Sequence, residues 1–151
     1  MSTQLQRYHR RRQLERRYIN RILRQDEFEF WKLRYDDNHG DERLVFSTGW
    51  SATLCSGYAV DLQRRFGRAR VTTYGYFCSE NRGTVAGDFS GGHDFAVLDR
   101  EWIIDPWLTD VADIWPVGVF HLVEDADVIP YIYGPSTKWR VTDLPHNIPI
   151  E

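Results

Sequence analysis

Apolar positions recur every three to four residues in two stretches of the chain and alternate with polar ones in several others. The two periods divide it into helices and strands. From 4 to 35, Leu14, Tyr18 and Ile22 fall at intervals of four, with Ile19 and Leu23 beside them, which predicts a helix with that set as its apolar stripe. Arg10, Arg11 and Arg12 break the stripe before residue 13. The first part of the helix is therefore the part whose order a partner would supply. The polar run "DDNHGDE", 36–42, reads as a loop and sets the boundary between a helical arm, 1–36, and a body, 37–151.

The second helical period lies in "STGWSATLCSGYAVDLQRRFG", 47–67. Cys55, Ala59, Leu62 and Phe66 share a face, Ser51 or Thr53 offers a cap, and Gly67 supplies a left-handed stop. "RVTTYGYF", 70–77, is β-branched and aromatic and predicts a strand. After a glycine-rich loop, "HDFAVL", 93–98, and "EWIIDP", 101–106, predict a hairpin turning at Asp99–Arg100. In the tail, "DVADIWPV" suggests a short helical turn, whereas "VFHLVE", "VIPYIYG" and "KWRVTD" read as extended segments. The pattern as a whole gives an α+β fold: a helix on an antiparallel sheet, with a basic N-terminal helix added.

Length changes little in this picture, since 151 residues suit one main core. No apolar run approaches the ~20 residues that a membrane helix needs. The first residues lack a secretory leader's apolar stretch, and two cysteines are too few for a disulfide scaffold. The expected setting is a reduced cytoplasm, or delivery into a target cell without a classical signal peptide.

Charge changes it more. The net charge is −3, but residues 1–25 hold eight arginines and one acid, so they carry +7 and leave −10 on the rest. Arg10, Arg11 and Arg12 are thus candidates for contacting an acidic protein partner, with nucleic acid a less favoured one. A solvated helix face, or an arm folded back on its own acidic body, explains the same pattern.

Three residues bring chemistry. Cys55 falls in the first turn of its predicted helix, where unpaired N–H groups and the helix dipole favour a thiolate. Taken alone, it also fits as a small buried hydrophobe. His93 opens a strand behind two glycines. A two-residue turn at 99–100 places His93 and Asp105 roughly opposite each other across the hairpin, and a bulge or a three-residue turn puts them on one face. Asp105 would then orient the imidazole, although an aspartate before proline is also a common turn cap. A zinc site built from His93, Asp94, Asp105 and His121 matches no known ligand spacing. Cys78, at the end of a strand, lacks a helix dipole.

The order of a cysteine heading a helix, a histidine opening a strand and an aspartate ending the next resembles the papain-like/transglutaminase-like superfamily. "HDFAVLDREWIIDPW" is similar to the transglutaminase-type run of His, strand, turn and W-x-x-D-P, and the resemblance covers about 47–107. It implies a Cys55–His93–Asp105 triad without a cofactor, acting on a protein or peptide amide as a peptidase, glutamine deamidase or transglutaminase. No glutamine stands a few residues before Cys55, so the oxyanion donors fall to the Cys55 backbone N–H with Trp50 or Ser51. Trp107 is expected to line the cleft. The small size suits a bacterial effector or toxin by analogy. The competing expectation is a non-catalytic module that binds through the arginine-rich helix.

Overall fold

The structure, a computed structural model, describes residues 3–23, 43–45, 51–77, 80–88, 92–110 and 112–142; for 43–45, 51–54 and 77 it describes the backbone alone. These residues form an α+β fold. Helix α1 (Gln4–Leu23) is followed by a two-stranded antiparallel ribbon of β1 (Arg43–Val45) and β2 (Ser51–Thr53). Strand β2 runs straight into α2 (Leu54–Phe66). Then come β3 (Val71–Phe77), β4 (Gly92–Leu98), β5 (Trp102–Ile104), α3 (Trp107–Asp110), β6 (Val119–His121), α4 (Ile129–Tyr133), a 3₁₀ turn (Ser136–Lys138) and β7 (Arg140–Val141). The last five strands make one antiparallel sheet in the order β6-β5-β4-β3-β7, with β4 at its centre. No described helix is long and apolar enough to cross a membrane.

Helix α2 packs across β4 and β3, burying Tyr58, Ala59, Leu62 and Phe66. It stops where expected: Gly67 has φ +98° and donates its N–H to the Gln63 carbonyl. The caps expected from Ser51 or Thr53 involve side chains outside the described residues. By register, His93, Phe95 and Val97 share a sheet face with Tyr74 and Tyr76. Onto Phe95 pack Tyr133 of α4, with ring centroids 4.7 Å apart, and Trp139, at 5.0 Å.

The hairpin turns at Asp99–Arg100, as its sequence suggests. Both residues have positive φ, and the Glu101 N–H reaches the Leu98 carbonyl at 2.9 Å. The ladder, however, pairs Leu98 with Trp102, not with Glu101. Glu101 is thus an extra residue on the β5 side. The pairing moves by one, which brings Asp105 to the face of Phe95 and His93.

Three expectations need correction. "VIPYIYG" is not extended; its centre forms α4. Pro130 sits in the first turn, where its missing N–H costs nothing, and Gly134 (φ +72°) closes the helix on the Pro130 carbonyl. In α1, the described part of the helix expected over 4–35, only the second half of the apolar stripe is buried. Ile19 is buried and Ile22 and Leu23 pack against the core, but Leu14 and Tyr18 are more than half exposed and Arg12 is buried in their stead.

The inward side of α1 also takes up charge, because the body supplies partners for it. Arg12 holds Glu15 at 2.6 Å and grips both oxygens of Glu101, at 2.9 and 3.2 Å. Arg16 reaches the Val119 carbonyl and Asp125 and lies over the Trp102 ring. The helical turn expected in "DVADIWPV" does not form there: the described residues 112–117 are irregular, and the short helix lies before them, at Trp107–Asp110.

Candidate active site

Cys55 is the second residue of α2 and is buried, 3% exposed. Its position leaves the amides of the first turn directed at the thiol's surroundings, and the helix dipole adds a positive field there. His93 is the second residue of β4, and its side chain is wholly buried. The two meet at the end of the sheet, where both border a cavity of 390 Å³ with Gly75, Tyr76, Asp94 and Arg140.

The imidazole is held from several directions. Nε2 lies 2.7 Å from Oδ2 of Asp105. The Trp107 ring packs on it with centroids 4.4 Å apart, and Phe95, Tyr133 and Tyr76 complete an aromatic wall. With Nε2 taken, Nδ1 is the nitrogen left for the thiol, and the nearness of Cys55 helps to raise the imidazole's pKa. No partner meets Nδ1 in ordinary donor–acceptor geometry. Burial alone would drive the His93 proton off. The Asp105 charge and hydrogen bond, with Cys55, outweigh it and hold the imidazole well above its usual value.

Asp105 follows β5 and is itself buried. Its backbone N–H donates to the Gly118 carbonyl at 2.6 Å, and its own carbonyl accepts from Leu108 as α3 begins. A Cβ on Gly118 would come within 2.5 Å of the Asp105 carbonyl oxygen, so only glycine allows this approach. The carboxylate is not spent on the turn before Pro106. Oδ2 takes His93 and also the hydroxyl of Tyr133 at 2.8 Å. Sequence reasoning missed Tyr133, because it lay in a segment read as extended; Gly118, just ahead of β6, was the legible signal of a close approach.

The structure thus brings together Cys55, His93 and Asp105. Trp107 is placed differently from expectation: it is fully buried beneath the His93 ring and does not line the cavity. Trp50, Cys78 and the Ser51 side chain lie outside the described residues. Asp94 turns away from His93 and bonds Ser56 of α2. His121 sits on β6, where Nδ1 accepts the N–H groups of Val123 and Glu124. Among the described residues no three His, Cys, Asp or Glu side chains are grouped to hold a metal ion. Arg12 faces inward onto Glu15 and Glu101 and is not presented to an outside partner; Arg11 pairs with Glu15 at the surface, and Arg10 is exposed. A larger hollow of 480 Å³ beside Tyr74, Pro130 and Trp139 has neither thiol nor imidazole in its wall. No model of a known protein family matches the chain, and no curated protein and no solved structure shows significant similarity to it.

Proposed function

We propose that the chain is a cysteine-dependent acyl-transfer enzyme with a papain-like/transglutaminase-like core, acting on an amide through Cys55, His93 and Asp105. One observation carries this reading: a buried His93–Asp105 pair at 2.7 Å beside a cavity that the helix-head thiol of Cys55 also borders. Either half alone is common. A buried ion pair is often structural, and a buried cysteine is usually packing. Joined beside one cavity, they supply nucleophile, base and orienter in the order that acyl transfer needs.

In this mechanism the Cys55 sulfur attacks the amide carbonyl carbon after the thiol proton passes to His93 Nδ1. The negative oxygen of the tetrahedral intermediate faces the Cys55 backbone N–H at the head of α2. The carbon–nitrogen bond then breaks as His93 returns its proton to the leaving amine, which departs and leaves a thioester. Water or a second amine attacks the thioester while His93 takes a proton from it. The product is an acid or a new amide, and the thiol is restored. Asp105 keeps Nε2 protonated and stabilises the imidazolium throughout.

The test is alkylation of the intact chain with iodoacetamide near neutral pH, followed by peptide mass spectrometry. Cys55 is expected to label faster than Cys78 and faster than a thiol of pKa ~8.5 permits, and to lose that advantage in His93→Ala. Equal, slow labelling of both cysteines would overturn the proposal. Ammonia release, peptide cleavage and amine incorporation then distinguish deamidase, peptidase and transglutaminase.

A further inference from the structure

Tyr133 lies 28 residues beyond Asp105, yet its hydroxyl ends on the carboxylate oxygen that holds His93. Its backbone has little freedom. Val85 and Ala86 donate to the carbonyls of Tyr131 and Ile132, and the Trp139 indole donates to the Tyr133 carbonyl at 3.0 Å. Phe95, Phe120 and Trp139 surround the ring, which is fully buried. A phenol fixed in this way has one direction for its O–H, and that direction is Asp105.

We propose that Tyr133 is a positioning residue of the site, its hydroxyl holding the Asp105 carboxylate in the orientation that meets His93. The proposal rests on the acyl-transfer reading for its functional meaning. A carboxylate on two rotatable bonds can swing away from one donor; two donors converging on Oδ2 from different elements hold that oxygen in place. The groups that face His93 are Asp105 after β5, Cys55 of α2, Tyr76 of β3 and Tyr133 of α4; Arg140 of β7 borders the same cavity but pairs with Glu80, and Asp94, next along β4, is turned to Ser56. Asp105 is the carboxylate in that set, so what moves it moves the basicity of the imidazole. Burial and then the Asp105 charge hold the Tyr133 phenol well above 10.0, so it stays a donor throughout the neutral range.

The decisive experiment follows the His93 ring by NMR against pH, and Cys55 alkylation by iodoacetamide, in the wild type, in Tyr133→Phe and with 3-fluorotyrosine at position 133. In Tyr133→Phe the carboxylate is freed and burial gains on the imidazolium. The His93 midpoint is expected to fall toward the ordinary imidazole value, and Cys55 labelling at pH 6.5 to slow by up to about tenfold for each unit of that fall. With 3-fluorotyrosine the packing is kept and the phenol is a stronger donor. The His93 Nε2–H resonance is then expected to move while fast labelling persists.

A folded Tyr133→Phe with an unchanged His93 titration, or a fluorotyrosine chain with an unmoved Nε2–H resonance, overturns the proposal. The second arm stands even where the phenylalanine variant fails to fold. Slow wild-type Cys55 labelling with the His93 shift intact sinks the acyl-transfer proposal alone. Fast labelling with a His93 titration indifferent to Tyr133 sinks the Tyr133 proposal alone.

Discussion

The Arg12–Glu15–Glu101 cluster under α1 and the His93–Asp105–Tyr133 cluster sit at opposite ends of the β4–β5 hairpin. Both bury a cation against a carboxylate, and both set a tryptophan beside it. In the first, burial works against the Arg12 charge, but Tyr8, Glu15 and Glu101 keep it on. Burial likewise opposes the Glu15 charge, and the bonds from Arg12, Trp102 and Arg11 overcome it. Its carboxylates still touch water, with side-chain exposures of 29% for Glu15 and 39% for Glu101. In the second, His93 and Asp105 are 0% and 2% exposed, and a cavity with a thiol opens beside them. Buried charge alone therefore does not mark function. The first cluster clamps a helix; the second sets its imidazole beside a buried thiol and an open cavity.

The largest expected difference comes from removing one partner of the ion pair in each. Asp105→Ala strands the imidazole in a dry site and should cost about 3–5 kcal/mol in urea unfolding, together with the loss of fast Cys55 labelling. Arg12→Ala lets its carboxylates rehydrate and should cost about 1–3 kcal/mol, with labelling unchanged. Equal costs would erase the distinction.

A second contrast lies in pH. The folded pKa of His93 is raised above its unfolded value, so its stabilisation is complete below about pH 6.5 and is lost as pH rises through the folded value, at about 1.4 kcal/mol per unit. Unfolding free energies across pH 6 to 9 should fall for the wild type and flatten in His93→Asn, whereas Arg12→Ala should keep the wild-type slope.

Gly118→Ala pushes a Cβ against the Asp105 backbone and is expected to cost about 1–3 kcal/mol, with slower labelling, read by the same two assays. Arg10→Ala, on the outer side of α1, should stay within about 0.5 kcal/mol of wild type in urea unfolding; a larger loss would mean that α1 is held by more than its inner face.

The same comparison explains what the sequence made legible. Where a residue's neighbours in the chain decide its role, the pattern was readable. Gly67 stops α2, Asp99–Arg100 turns the hairpin, and the alternation of His93, Phe95 and Val97 gives their shared face. Cys55, His93 and Asp105 were legible because each stands at an element boundary with a punctuating neighbour. Roles set by distant parts of the chain were not. Leu14 and Tyr18 look like a buried stripe until Glu101 and Asp125, some ninety to one hundred and nine residues away, draw Arg12 and Arg16 inward. Tyr133 had no local signal, because a five-residue helix is shorter than two turns and shows no period. Trp107 was recognisable as an important ring, but only the packed site tells a floor beneath the histidine from a wall of the cleft.

Loop lengths are ordinarily the freest variable in a protein family. The 99–101 turn is an exception, because it works as a parity bit. Glu101 is the extra residue that shifts the β4–β5 pairing by one, and it is also the body's grip on Arg12. Deleting one residue there would invert the inside and outside of β5, carrying Asp105 away from His93 while releasing the helix. Any descendant chain that keeps Asp105 against His93 must therefore change this turn by an even count or not at all.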